Sequence, residues 1–257
     1  MRNFAVLTEN VGKKFDIGTM RQKMLGQQFR YWVQGHQPTR SFWALRNVSF
    51  RVEHGEGLGV IGPNGSGKST LLRILSGILQ PNEGRVESNG PVNPFLALGV
   101  SLLPQLTVMQ NLKLCAALLG YTGREFRRKL DSIIEFSELS DYLYAAVADL
   151  SVGWASRVAF SIAIHADLNI LLVDETLEVG DAYFREKCKR FFRKIKEQGK
   201  TIILVSHSMD DIVGVCDKAV YIDGGRQMAF GDVPSVITKY ENTVALRMKK
   251  TAEARGT

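Results

Sequence analysis

The residues Gly62-Pro63-Asn64-Gly65-Ser66-Gly67-Lys68-Ser69-Thr70 fit the spacing G-x-x-x-x-G-K-[ST]. Residue types in that order can wrap a phosphate group. Gly62, Gly65 and Gly67 let the backbone turn its N–H groups inward without Cβ clashes, and Asn64 and Ser66 complete the loop. Lys68 can reach the β- and γ-phosphates, Ser69 can ligate Mg²⁺, and Thr70 continues the first helical turn. A second set of groups lies at Ile170-Leu171-Leu172-Val173-Asp174-Glu175, an apolar run ending in two acids. Beside a phosphate loop, the first acid can hold Mg²⁺ through water and the second can polarise an attacking water. A strand that merely ends at solvent shows acids too. A third group is His207, at the end of the apolar run Ile202 to Val205.

These groups need elements to hold them. Leu58-Gly59-Val60-Ile61 reads as a buried strand entering the loop, and Leu71, Leu72, Ile74 and Leu75 as one face of the helix leaving it. Residues 42–52 alternate as a strand, and residues 4–15 begin with a short apolar alternation that ends in Lys13-Lys14-Phe15. Short strands broken by Gly90, Pro91 and Pro94 are expected over 84–100, and mostly helix over 107–149. From 156 to 240 helix and strand alternate, as a parallel sheet requires. The expected fold is α/β: a phosphate-loop core with a mostly parallel sheet, an N-terminal antiparallel β region and an inserted helical subdomain over 107–155. One nucleotide-binding domain is expected over 1–240. A basic tail is expected over 241–257, as a frayed helix or disordered chain. Within 16–41, Leu25, Phe29, Trp32 and Val33 share a helical face among Arg21, Lys23 and Arg30. Packing on the chain's own domain and docking to a membrane or membrane partner both fit that stripe.

Composition narrows the setting. The chain has 257 residues, enough for a full core, and its hydrophobic content of 45% and charged content of 23% are those of a globular protein. No stretch approaches the roughly 18–20 apolar residues of a membrane span, and no apolar leader opens the chain, so a cytoplasmic setting is expected. Cys115, Cys188 and Cys216 have no metal-ligand spacing and are expected as reduced thiols. The formal charge of +7 suits nucleic acid or an anionic membrane without establishing either.

Taken in chain order, the phosphate loop, the helix start Leu150-Ser151-Val152-Gly153-Trp154, the two-acid strand and Ser206-His207 resemble the ATP-binding cassette superfamily over about residues 4–240. The resemblance implies an ATPase using ATP and Mg²⁺. It makes Lys68 and Ser69 part of Walker A, Asp174 part of Walker B, Glu175 the catalytic glutamate and His207 the switch histidine sensing the γ-phosphate. Asp181 falls at the D-loop acid. Ser151 and Gly153 match the signature loop that contacts ATP held by a second subunit, implying a head-to-tail homodimer. Phe15 takes the place of an adenine-stacking Tyr.

Within the superfamily, Ala97-Leu98-Gly99-Val100 through Pro104-Gln105-Leu106-Thr107 is similar to the A-L-G-x…P-E-L-T segment of polysaccharide-export ATPases, where Leu-Gly replaces the usual Q-loop glutamine. Glu178-Val179-Gly180-Asp181, Phe184, Lys187-Cys188, Asp217, Asp223-Gly224-Gly225-Arg226 and Tyr240 continue that likeness, and the long segment before Phe42 resembles their extended N-terminal region. This implies the ATPase subunit of an exporter of lipid-linked O-antigen, teichoic acid or a related glycan. It would sit at the cytoplasmic face of the membrane on a separate integral permease chain, meet the glycan through that permease, and have no nucleic-acid partner. A C-terminal carbohydrate-binding domain, found in some members, is not expected. Departures are Val152 in place of Ser or Gly and Trp154 in place of Met or Gln, which imply slow hydrolysis. The rivals are another lipid or drug exporter's ATPase and a soluble cassette ATPase acting on ribosomes or DNA.

Overall fold

The computed structural model describes residues 4–17, 40–93, 102–166, 169–174 and 181–255. Nine strands form one sheet in the order β4-β1-β2-β9-β8-β3-β7-β6-β5. Strands β3 (Gly57–Ile61), β7 (Thr201–Val205), β6 (Ile170–Val173), β5 (Val92–Asn93) and β8 (Lys218–Asp223) pair in parallel. At the other end, β1 (Phe4–Ile17) pairs antiparallel with both β2 (Arg40–Glu53) and β4 (Glu83–Ser88). The strand β9 (Arg226–Asp232) returns antiparallel on β8 through Gly224 and Gly225, both at positive φ, and meets β2 at Arg46. The φ values of 52° and 75° at those two positions are the reason a two-residue hairpin turn wants glycines there. The mostly parallel sheet with an antiparallel N-terminal region matches the expected fold class.

The parallel strands read as continuous apolar runs because both of their faces are covered. Alternate residues divide between two cores. Leu58, Val60, Ile170, Leu172, Ile203, Val205, Val220 and Ile222 pack with Leu71, Leu72, Ile74 and Leu75 of helix α1 (Lys68–Leu75). Ile61, Leu171, Val173, Ile202, Leu204, Ala219 and Tyr221 pack against the opposite layer of helices. That layer comprises α2 (Val108–Leu118), α3 (Gly123–Ser137), α4 (Val152–Ile164), α5 (Ala182–Glu197), α6 (Met209–Val215) and α7 (Val233–Arg255). Helices α2 and α3 each start in a reciprocal capping box, Thr107 with Gln110 and Thr122 with Glu125, which fixes where each begins.

Helix α7 differs from the expected end of the chain. It runs unbroken across residue 240 to Arg255. Tyr240 stacks edge-on against Tyr221 at 5.2 Å, and Arg247 pairs with Asp223, so the sheet holds a segment whose own composition argues for fraying. The Leu25, Phe29, Trp32 and Val33 stripe and Leu98-Gly99 lie outside the described residues. No helix among the described residues is long and apolar enough to cross a membrane. All three cysteines are buried free thiols; burial pushes Cys115 up to about 11 and Cys188 up to about 12, so neither is a thiolate at neutral pH.

Candidate nucleotide site

The phosphate loop leaves the C-terminal end of β3 and becomes α1 at Lys68. Asp174 follows the last residue of β6, and His207 lies two residues beyond β7. The register sets Val60 beside Val205 and Val173 beside Leu204, so the three strand ends converge at one edge of the sheet. Ligands of open α/β sheets bind there, because the loops leaving parallel strands face one another across it.

The loop is held from outside as well as by its own turns. Gly62 has φ 150°, and a Cβ there would lie 2.0 Å from the Ile222 carbonyl oxygen. Gly67 caps α1 at φ 110°, with the Ala44 carbonyl oxygen 2.5 Å from where its Cβ would be. The Gly225 N–H donates to the Ser66 carbonyl at 3.0 Å. Gly65, at φ 74°, has open space where a Cβ would be. The Lys68 side chain is buried, its Nζ donating to the carbonyls of Gly62 at 2.9 Å and Pro63 at 3.1 Å. A buried ammonium at the centre of a glycine loop, above a helix N-terminus, suits a polyphosphate anion. The hydroxyl of Ser69 and the carboxylate of Asp174 offer the hard oxygen donors that Mg²⁺ prefers.

His207 is exposed, but the segment carrying it is anchored. Ser206 Oγ accepts from Ser208 N–H at 3.0 Å and donates to Asp211, which is buried and paired with Lys189 Nζ at 2.6 Å. Phe15 stacks on Phe42 with centroids 5.8 Å apart. Phe42 lies two residues before Ala44, whose carbonyl abuts Gly67, so the aromatic pair sits along the strand that touches the loop. Glu175 lies outside the described residues.

Ser151 and Asp181 are both helix caps, linked through Trp154 and Arg157. Ser151 caps α4 by accepting from Trp154 N–H, and Val152 beside it is 85% exposed, with Gly153 next in the helix. Asp181 caps α5, accepting from Phe184 N–H at 2.9 Å. That hydrogen bond, with the Arg157 charge adding to it, holds the Asp181 carboxyl below its usual range. Arg157, a partner of Asp181, stacks on the rings of both Trp154 and Phe184, whose N–H groups these caps accept from.

Arg157 organises the cluster, although its place in the sequence marks it only as one more helix charge. Its side chain is 5% exposed and sits 4.4 Å from the ring centroids of both Trp154 and Phe184. It donates to Glu138 and to Asp181, each at 2.9 Å. Lys187 closes the set on Glu138 at 2.8 Å. Burial works to raise Glu138, but the two cations outweigh it and its carboxyl stays low. The signal that could have found it is the i, i+3 spacing of Trp154 and Arg157, which places a cation beside a ring on one helix face.

The matching family model is that of the ABC transporter, over residues 45–178. This chain belongs to the ABC transporter family. The expected superfamily and fold both hold, and nucleotide binding comes with the family. Among curated ABC relatives, the teichoic acids export ATP-binding protein TagH of Listeria innocua is 35% identical over 243 residues, covering 95% of this chain and 71% of that protein. The O-antigen export system ATP-binding protein RfbB of Myxococcus xanthus is 35% identical over 96% of this chain and 58% of its own. The RfbB of Klebsiella pneumoniae is 37% identical over 80% and 84%. Among solved structures, a dimeric ATP-binding cassette in a post-hydrolysis state bound to ADP and Pi matches with a TM-score of 0.72. At 24% identity, covering 89% of this chain and 98% of that one, it shows the shared ABC fold.

Proposed function

We propose that this chain is the ATP-hydrolysing subunit of an ABC transporter that exports a lipid-linked cell-surface polysaccharide of the O-antigen, teichoic acid or capsule class. What carries the reading is one coincidence. The phosphate loop, Asp174 and His207 meet at one sheet edge, in a chain that aligns over most of its length with ATP-binding proteins of two glycan export systems.

In this reading Lys68 and the loop N–H groups bind the ATP phosphates, and Phe15 stacks on the base. Ser69 and Asp174 would hold Mg²⁺, which supplies charge neutralisation to the phosphates when bound. Glu175 takes the proton of the attacking water, and His207 contacts the γ-phosphate. Ser151, Gly153 and Asp181 face the ATP of a second copy, an assignment supported by the exposure of the Asp181 carboxylate and of Val152 beside Ser151. Two copies would act beneath an integral permease at the cytoplasmic face of the membrane, with hydrolysis reopening the closed pair. The 16–41 segment would lie near the permease or lipid headgroups. Positioning and electrostatics carry such catalysis.

The test is purification from membranes. The chain should co-purify with a permease of about six spans, in keeping with membrane spans of about 20 residues each, and hydrolyse ATP. Loss of the chain should leave the glycan on the inner side of the membrane. Recovery with ribosomes or DNA instead would overturn the reading.

A further inference from the structure

Helix α7 reaches the nucleotide loop through one buried carboxylate. The Asp223 side chain is 10% exposed and has two partners: the Tyr221 hydroxyl, which donates at 2.9 Å, and the Arg247 guanidinium. Tyr221 and Asp223 are two apart on β8 and so share the face turned toward α7. There Tyr240 packs edge-on against Tyr221, and Thr243 adds a hydroxyl contact. Tyr240, Thr243 and Arg247 are spaced three and four apart, one stripe of the helix.

The same turn grips the phosphate loop from its other side. Between Tyr221 and Asp223, the Ile222 carbonyl lies against Gly62. Two residues beyond Asp223, Gly225 donates to the Ser66 carbonyl at 3.0 Å and accepts from Arg46 N–H at 2.7 Å. The β8–β9 turn therefore touches the loop at both Gly62 and Ser66. A carboxylate so nearly buried needs its cation. Removing Arg247 would leave the nearly buried carboxylate without its cation, held by the Tyr221 hydroxyl alone, and the turn would have to open toward water.

From this geometry we infer that Arg247 is a positioning residue for nucleotide binding: by holding Asp223 it fixes the β8–β9 turn against Gly62 and Ser66, and so presets the phosphate loop. The inference rests on the reading of residues 62–70 as the ATP loop.

The test is calorimetric titration of the purified protein with ATP, alongside ATP turnover and thermal melting. Arg247 is 57% exposed, so Arg247→Ala should fold. It should weaken ATP binding about three- to tenfold, the scale of one lost charge-assisted hydrogen bond partly screened by solvent. KM for ATP should rise accordingly while kcat at saturation stays close to wild type. Arg247→Lys should restore most of the affinity, and Asp223→Asn should reproduce the loss. Glu241→Ala, on the exposed side of the same helix, should change nothing. Wild-type affinity in Arg247→Ala would overturn the inference. So would an affinity loss that Arg247→Lys shares in full and that follows the drop in melting temperature, since the contact would then be structural only. Failure of the unaltered protein to bind ATP would instead overturn the nucleotide site itself.

Discussion

Arg157 donates to Asp181 across 2.9 Å, joining the second turn of α4 to the cap of α5. The guanidinium is flattened between Trp154 and Phe184, and its other edge is taken by Glu138. Three segments, the end of α3, helix α4 and the start of α5, are thereby clamped by one side chain. Trp154, where the sequence resemblance implies Met or Gln, has a structural use here: its ring covers the cation. The Trp at this position is therefore tied to the local packing.

Arg157→Ala should destabilise the protein by about 2–3 kcal/mol in denaturant titration, from the lost stack and the hydrogen bond to Glu138. The Asp181 end of the contact is open to water and contributes little to that figure. ATP binding should survive within about twofold, because Lys68 and the loop are untouched, whereas turnover should fall by about tenfold or more as Ser151 and Asp181 lose their shared support. Unchanged stability and turnover together would show that the cluster is ornamental.

Gly62 and Gly65 make a matched pair. In Gly65→Ala the new methyl meets nothing in the loop, leaving only the left-handed backbone, about 1–2 kcal/mol. In Gly62→Ala the methyl meets the Ile222 carbonyl, and the loop and the β8–β9 turn must separate. Melting of the two proteins without nucleotide should show a clearly larger loss for Gly62→Ala. Equal losses would mean that the turn does not brace the loop.

Lys68→Ala and Glu175→Gln should separate binding from chemistry. The first removes a buried ammonium and should weaken ATP binding about ten- to a hundredfold, as loss of charge-assisted hydrogen bonds does. The second keeps size but loses basicity, and should cut hydrolysis about 10²–10⁴-fold with ATP affinity retained. Turnover by Glu175→Gln above about a tenth of wild type would contradict its role as base.

His165 supplies a pH dependence unrelated to nucleotide. Burial between Phe136 and Phe191 holds its imidazole below 6.5, against the pull of its Nδ1 contact with the Ser161 carbonyl at 2.6 Å; nearby Lys129 lowers it further. The unfolded chain takes up a proton at a pH where the folded chain does not. This contribution to stability is therefore complete above the unfolded value and is lost as pH falls below it toward the folded one. The melting temperature should drop between about pH 7 and 5, and His165→Gln should flatten part of that drop. A slope identical to wild type would refute the assignment.

Phe29→Ser with Trp32→Ser tests the segment over 16–41. Docking to lipid or permease predicts a protein that melts and binds ATP as wild type does but no longer supports glycan export. Packing on the cassette predicts a loss of several kcal/mol in stability, as truncation of large buried rings costs about 3–5 kcal/mol each.

The phosphate loop, the two-acid strand and the family they indicate were legible in the sequence because each is a local pattern. Glycine spacing, an apolar run and a terminal acid act over a few residues and need no distant partner to be recognised. The parallel strands were readable for the same reason, as runs such as Ile202 to Val205 are apolar on both faces. The ion pairs of Arg157 and the Arg247–Asp223 pair were not readable. Glu138 and Asp181 lie 19 and 24 residues from Arg157, and Asp223 lies 24 from Arg247, each on a separate element. An arginine among other helix charges carries no mark of which carboxylate it will meet. The end of α7 illustrates the same limit: residues 241–255 are polar enough to fray alone, and the contacts of Tyr240 with Tyr221 and of Arg247 with Asp223 tie that end to the sheet. Sequence named the groups proposed for the chemistry, because residue type and spacing are local patterns. Tertiary structure alone decided what holds those groups still, because burial and long-range pairing exist only after the chain has folded.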